Sequence, residues 1–460
     1  MAHHVDRRSL VSRPATRHTP AIPRRVTSTP PSHTARGPDP EPLLAALTAT
    51  RKRTLALLGP VAERDLEKVH SPLMSPLVWD LGHIGAFEDL WIAHRFAGEP
   101  LLRPDLMQVY DAFETPRRSR GDLPYLHHEE AADYLAAVRV RTLAAVEAHG
   151  AADGFLLDLV VRHEQQHTET MLQTLELAHL ERPYAAPASA SAAWAGGPPH
   201  PGLEWVEVPA GPCTIGAPSG AFSYDNERPR HAVELGGYRI GRTPVTNASF
   251  LAFAEGGGYQ RREWWSDEGW AWKEEYDICR PAQWTADGRE RRLGRLEPLK
   301  PDRPVVHVSW FEADAFARAH GARLPTEAEW ERAATWDQQT QTARPRPWGA
   351  EPPEPQHANL DQLALGTSPV GAHPAGASPA HCLDMLGNVW EWTGSAFGGY
   401  PGFHPDPYSE YSEVFFGSDY RVLRGCSWAT RAEVSSPFFR NWDFPARRQI
   451  FSGFRLAQDL

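Results

Sequence analysis

The 460-residue chain has a formal net charge of −11, with 23% charged and 41% hydrophobic residues. That balance suits a globular protein with two or three cores, and its sign argues against general nucleic-acid binding. No apolar run approaches the ~20 residues of a membrane helix, so no membrane association is expected. The four cysteines (Cys213, Cys279, Cys382 and Cys426) form no Cys-x-x-Cys pair, which points to a reducing, cytoplasmic setting.

Residues 1–40 are rich in Pro, Arg, Ser, Thr and His. They contain too little apolar surface to order themselves, and a disordered tail is expected. Apolar residues at helical spacing then predict four helices: Leu43–Leu58, Pro76–Phe96, Glu129–His149 and Asp153–Leu180. Ser75 is the expected N-cap of the second, with Pro76 in its first turn. Four helices with one long connection, about 97–128, read as a four-helix bundle over 41–183. A small-residue, Pro-rich stretch over 184–201 reads as a linker. Residues 202–460 carry most of the 17 Trp, many turn residues and short β-like runs. Helices are expected there at Trp310–His320 and Thr326–Thr335, within an irregular α+β domain.

The stretch His163-Glu164-Gln165-Gln166-His167 lies in the fourth helix. Histidines four apart share a helix face, so both imidazoles can reach one metal ion. The string also fits the His-Glu-x-x-His pattern of zinc metalloproteases, in which Glu164 would be the general base. A third ligand is available in Trp79-Asp80-Leu81-Gly82-His83-Ile84-Gly85, on the second helix. Gly82 and Gly85 are costly inside a helix, which suggests that another backbone or a substrate comes close. His70, His94 and His179 compete with His83 but lack such a setting. Three imidazoles without a carboxylate leave open coordination positions, which suits Fe(II) or catalytic zinc.

These two segments resemble the DinB-like domain of the sulfoxide synthases of ergothioneine biosynthesis. The second half is similar to formylglycine-generating-enzyme-like domains, which have a C-type-lectin-like fold. The residues that carry this likeness are Val308-Ser309-Trp310, Arg323-Leu324-Pro325-Thr326-Glu327-Ala328-Glu329-Trp330-Glu331, Gly387-Asn388-Val389-Trp390-Glu391-Trp392 and Gly453-Phe454-Arg455. The resemblance spans about 41–457. It implies a mononuclear non-heme Fe(II) enzyme with His83, His163 and His167 as ligands. With O2, such an enzyme joins the sulfur of a cysteine-containing thiol to the imidazole C2 of hercynine and leaves a sulfoxide.

The same resemblance implies roles for the substrate side. Tyr408 matches a tyrosine that donates a proton during the oxygen chemistry, with Tyr400 a lesser candidate. A phenol with a pKa near 10 is a proton donor at neutral pH. Hercynine carries a quaternary ammonium, which favours aromatic faces. Trp442 and Tyr411 are the candidate cage, Asn441 a partner for the hercynine carboxylate and Asp443 a partner for the thiol substrate's amino group. Arg117 and Arg120 match an Arg-x-x-Arg pair that binds the carboxylates of γ-glutamylcysteine, favouring it over cysteine. Gln166 is placed to hydrogen-bond the second substrate. One departure is that Cys426 has no second cysteine after it, so oxidation of sulfatase cysteines is not expected. An ovothiol-type enzyme using cysteine and histidine, and a zinc-dependent hydrolase built on Glu164, stand as alternatives.

Overall fold

The computed structural model describes residues 41–150, 154–178, 180–185 and 203–460. The expected tail, His179 and nearly all of the expected linker lie outside the described residues. Five helices come first: α1 (Glu41–Leu58), the one-turn α2 (Glu63–Leu66), α3 (Leu77–Glu88), α4 (His128–His149) and α5 (Phe155–Leu177). Leu77, Leu81 and Ile84 of α3 pack with Leu135 and Val138 of α4 and with Met171, Leu172 and Leu175 of α5. This is the apolar stripe expected from the spacing. The connection after α3 holds two 3-10 turns, Pro104–Leu106 and Arg117–Asp122.

Two details of the second helix differ from expectation. Its α-helical winding ends at Glu88, and Asp89–Phe96 continues as a π-helix. Ser75 is not a helix cap: its buried hydroxyl accepts a hydrogen bond from Arg120 Nη1 at 2.8 Å. Pro76 takes the cap position without a side-chain bond.

An ion network threads the bundle. Arg51 of α1 donates to Glu164 of α5 at 2.9 and 3.1 Å and to Glu88 of α3 at 2.8 Å. Arg139 of α4 donates to Glu88 at 2.7 and 3.0 Å. Burial pushes the Glu88 carboxyl up, but Arg139 and Arg51 outweigh it and hold the group below the usual range.

The second region contains α6 (Asn247–Glu255), α7 (Asp267–Glu275), α8 (Trp310–Ala319) and α9 (Glu327–Thr335). Capping boxes start two of them: Ser309 with Glu312 at α8, and Thr326 with Glu329 at α9. The strands are short. β1 (Trp205–Val208), β4 (Tyr238–Gly241) and β13 (Ala457–Asp459) form an antiparallel sheet in the order β1-β4-β13. β2 (Gly211–Ile215) with β3 (His231–Leu235), β5 (Arg289–Arg292) with β6 (Arg295–Pro298), and β7 (Trp336–Asp337) with β8 (Thr342–Ala343) form antiparallel pairs. β9 (Trp390–Phe397), β10 (Gly417–Arg424), β11 (Asn441–Asp443) and β12 (Ser452–Gly453) form a sheet ordered β11-β10-β9-β12, with β12 parallel to β9.

The motifs of this region are largely structural. Arg455 forks onto Glu391 at 2.5 and 2.7 Å, and Trp330 Nε1 donates to the same carboxylate at 3.0 Å. Arg424 pairs with Glu331 at 2.6 Å, and Arg440 forks onto Glu327 at 2.8 Å through both contacts.

α5 also meets the second region. Its buried Glu169 accepts hydrogen bonds from Trp390 Nε1, Ser427 Oγ and Thr430 Oγ1, each at 2.7 Å. Glu176 Oε2 accepts from the Leu293 backbone N–H at 2.9 Å. Tyr184, expected to open a linker, is buried, and its hydroxyl donates to Leu57 O at 2.7 Å. Among the described residues no helix is long and apolar enough to cross a membrane.

Candidate metal centre

The ligand nitrogens of His83, His163 and His167 all lie within 4.8 Å of one another. His163 and His167 lie one turn apart on α5, and His83 reaches them from α3. Each ring is held differently. His83 Nδ1 faces the Tyr110 carbonyl at 2.7 Å, and His167 Nδ1 faces the Asp80 carboxylate at 3.1 Å. A carbonyl or carboxylate oxygen only accepts, so both Nδ1 atoms carry a proton, which leaves Nε2 as the nitrogen through which each ring can bind a metal. His163 is supported instead by Phe87, stacked at 3.7 Å and 10°. Its Nε2 lies 3.2 Å from His83 Nε2.

Burial, followed by the neighbouring His167, lowers the pKa of both His83 and His163 well below the usual histidine range. Three imidazoles converging in this way are a donor set that a first-row divalent cation takes, and among the described residues no carboxylate joins the group. His70 and His94 are elsewhere, bound to the Asp65 and Glu99 carbonyls at 2.8 Å.

Gly82 has a different cause from the one expected. A Cβ there would sit 2.1 Å from Tyr110 Cζ, and one on Gly85 3.0 Å from the Tyr134 ring. The close neighbours are side chains, Tyr110 at Gly82 and Tyr134 with Leu135 at Gly85, and not another backbone. Glu164 is also reassigned. Both its oxygens are occupied by Arg51, with Thr54 Oγ1 adding a bond at 2.8 Å. That leaves it committed to the ion network and unavailable as the base of a zinc hydrolase.

The substrate-side candidates fall into several groups. Tyr408 stacks on Trp91 at 5.4 Å and 20°, and Trp91 meets Phe87 at 6.0 Å. The ring series therefore runs from Tyr408 to the face of His163. Tyr411 meets Tyr408 edge-on at 5.9 Å and stacks on Tyr224 at 5.3 Å. Gln166 Nε2 donates to Tyr224 Oη at 2.6 Å. Burial raises the pKa of Tyr408, Tyr411 and Tyr224, so all three are protonated phenols at neutral pH. Tyr400 lies in a separate cluster with Cys213, Ile215 and Trp336, under the Arg440 guanidinium.

Trp442 stacks on Phe397 at 4.2 Å, with Phe415 at 5.5 Å. It thus has different ring neighbours from Tyr411, its expected cage partner. Asn441 Oδ1 accepts from the Trp442 N–H at 2.9 Å. Asp443 accepts from the Phe444 N–H at 2.8 Å and from Gln449 Nε2 at 3.1 Å. Burial raises the Asp443 pKa, opposed by Arg447 and then Arg117. The Arg117 loop therefore lies within electrostatic reach of Asp443. Arg117 is exposed, and its Nη1 donates to the Leu73 carbonyl at 3.3 Å and to Met74 Sδ at 3.7 Å. Arg120 is buried, spends bonds on Thr115, Ser75 and Ala112, and lies over Trp79 at 3.8 Å. Burial, then the charge of Arg117, pulls its pKa down to about 9, which leaves it cationic at neutral pH.

Comparison with known proteins bears on the same two regions. Residues 46–171 match the DinB superfamily, and residues 196–460 match the sulfatase-modifying factor enzyme 1-like domain. Proteins named hercynine oxygenase from Mycolicibacterium thermoresistibile and Mycolicibacterium smegmatis are 47% and 46% identical over 431 and 437 residues. Each alignment covers 91% of this chain, with 95% and 99% of the relative. The chain belongs to the hercynine oxygenase family.

The second region of this hercynine oxygenase family member is also 33% identical over 239 residues to a formylglycine-generating enzyme of Mycobacterium tuberculosis. That match covers 44% of this chain and 77% of the relative. Cys426 is fully buried, and burial raises its thiol pKa strongly, so it has neither a partner cysteine nor thiolate character. The residues that sequence reasoning missed are Asp80, Tyr110 and Tyr224. Asp80 lies inside the quoted His83 motif, and its position three residues before a ligand was the available signal. Tyr110 acts through its carbonyl, and Tyr224 meets Gln166 across 58 residues of chain; neither leaves a local pattern.

Proposed function

We propose that this chain is a sulfoxide synthase in which His83, His163 and His167 hold Fe(II), joining γ-glutamylcysteine to the imidazole C2 of hercynine. The observation that carries this reading is the three-histidine group, with two rings fixed through Nδ1 and no fourth protein donor among the described residues. The iron, when bound, supplies the means to activate O2. The overall reaction takes the thiol hydrogen and the imidazole C2 hydrogen into water with one oxygen atom, and the second oxygen stays on sulfur.

The protein's own residues supply binding and proton placement. Tyr408 is a neutral phenol linked by ring packing to the His163 face, and it is the candidate proton donor. Gln166, fixed by Tyr224, lies one residue from a ligand and is the candidate partner of the hercynine side. Asn441 and Trp442 are assigned to hercynine's carboxylate and trimethylammonium, with Tyr411 the second candidate ring for the trimethylammonium. Arg117, exposed on its loop, is assigned to a carboxylate of γ-glutamylcysteine. Arg120, with most donors committed, supports that loop, and Asp443 receives the substrate's ammonium.

The test is an aerobic and an anaerobic assay with Fe(II), hercynine and either γ-glutamylcysteine or cysteine, read by mass spectrometry. Sulfoxide that requires O2, iron and γ-glutamylcysteine is the expected result. His83→Ala, His163→Ala and His167→Ala should each abolish iron retention and turnover; full activity in any of them refutes the ligand assignment.

A further inference from the structure

The loop that carries Tyr408 is mostly surface. Glu410, Glu413 and Val414 are exposed, and two 3-10 turns, Ser409–Tyr411 and Glu413–Phe415, make up its outer part. Between them sits Ser412, which is 0% exposed. Its hydroxyl donates to Asp225 Oδ1 at 2.5 Å and accepts from Asn226 Nδ2 at 2.9 Å. Asp225 and Asn226 are themselves 0% exposed. The second Asp225 oxygen accepts from the Asp406 backbone N–H at 3.4 Å. One buried carboxylate therefore ties the loop two residues before Tyr408 and four residues after it.

The adjoining residue, Tyr224, is the ring on which Tyr411 stacks and the hydroxyl to which Gln166 donates. The segment Tyr224-Asp225-Asn226 thus links the tyrosine loop to the ligand-bearing helix α5. A serine in an exposed loop gains nothing from burial as such, since its hydroxyl must then find partners inside the protein. Here it finds one acceptor and one donor of fixed orientation, which is how a loop is held in a single register.

We propose that Ser412 and Asp225 form a latch that positions the Tyr408 phenol, and that both are positioning residues for the sulfur–carbon bond-forming outcome. The inference rests on Tyr408 as proton donor. With the latch closed, the phenol stays over Trp91 on the side of His163. With it open, the loop samples other positions and the thiol is oxidised alone, taking both atoms of O2 to give the sulfinic acid.

The test uses the iron-loaded full chain as Ser412→Ala, Asp225→Asn, the double variant and Tyr408→Phe. Three quantities are read: iron content, amide hydrogen exchange of the loop and of α5, and the ratio of sulfoxide to sulfinic acid. Iron content and α5 protection should be unchanged in Ser412→Ala. Losing a bond to a carboxylate should raise exchange across residues 406–416 about 10-fold or more. The product ratio should fall toward that of Tyr408→Phe, by up to about 100-fold, as expected when a reacting group is displaced by about 1 Å. The double variant should be no worse than the stronger single one, because both substitutions open the same latch. Faster loop exchange with an unchanged product ratio overturns the proposal, and so does unchanged exchange. If Tyr408→Phe itself leaves the ratio unchanged, the donor role fails and the inference falls with it. A shifted Tyr408→Phe ratio beside an unshifted Ser412→Ala ratio refutes the latch alone.

Discussion

Glu164→Gln separates the structural from the catalytic reading of the His-Glu-x-x-His string. Glu164 now accepts two bonds from Arg51, at 2.9 and 3.1 Å, and one from Thr54 at 2.8 Å, with Arg139 Nη2 3.5 Å away. The amide keeps the shape but removes the charge and turns one acceptor into a donor facing other donors. Arg51 and Arg139 are then left to share Glu88 alone, so one buried cation is uncompensated. Breaking a buried pair in this way costs about 3–5 kcal/mol. The described residues, between 41 and 460, fall in one compact unit. At about 2.1 cal/mol/K per residue, its unfolding entropy is roughly 0.9 kcal/mol/K, so the melting temperature should fall by about 3–6 °C. Thermal melting of the iron-loaded protein measures this, alongside iron content and turnover per iron. The expected result is a lower melting temperature with iron content and turnover preserved at a temperature where the variant is folded. Unshifted melting with lost turnover would refute the reasoning and return Glu164 to the chemistry.

Gly82→Ala should drive the added methyl into Tyr110, 2.1 Å from Cζ, and displace the carbonyl that fixes His83. Calorimetric titration with Co(II) should show affinity reduced about 10–100-fold, the range for losing an outer-shell support; an unchanged isotherm argues against that role for Tyr110. Glu176 is buried, and burial raises its pKa from 4.5 to about 8 against the Leu293 hydrogen bond and Arg292. Because the folded value is raised, its contribution is complete below pH 4.5 and lost as pH rises through 8. Glu176→Gln removes this dependence and should be more stable than the native protein above pH 8, by a few kcal/mol, as read by urea melts at pH 6 and pH 8.5. Arg117→Ala should raise KM for γ-glutamylcysteine about 10-fold or more while changing KM for cysteine little; equal effects on both substrates reject its assignment.

What could be read from the sequence follows from how local each determinant is. The His163–His167 pair is visible because four residues make one helical turn, and α5 needs no partner to place both rings on one face. The capping boxes at Ser309 and Thr326 are equally local, and the expected helices at those sites are present. The change to π-helical winding at Asp89 has no Pro or Gly to announce it. Gly82 announced a close approach but not its partner, because Tyr110 arrives from a loop 28 residues away. Arg117 and Arg120 look alike in sequence, yet one is exposed and the other buried under three hydrogen bonds. That difference depends on how the loop packs on Trp79 and Ser75.

Glu169 has a consequence for protein engineering. It sits on the same helix as His163 and His167, but its carboxylate is satisfied by Trp390, Ser427 and Thr430 from the distant half of the chain. A fragment ending after α5 would return that carboxylate to water and remove the three donors that set the helix's rotation and height. Transplanting the histidine bundle alone, or exchanging the second half for a relative lacking those three side chains, therefore transfers the ligands without their alignment. The unit that can be recombined is the helix together with its docking surface.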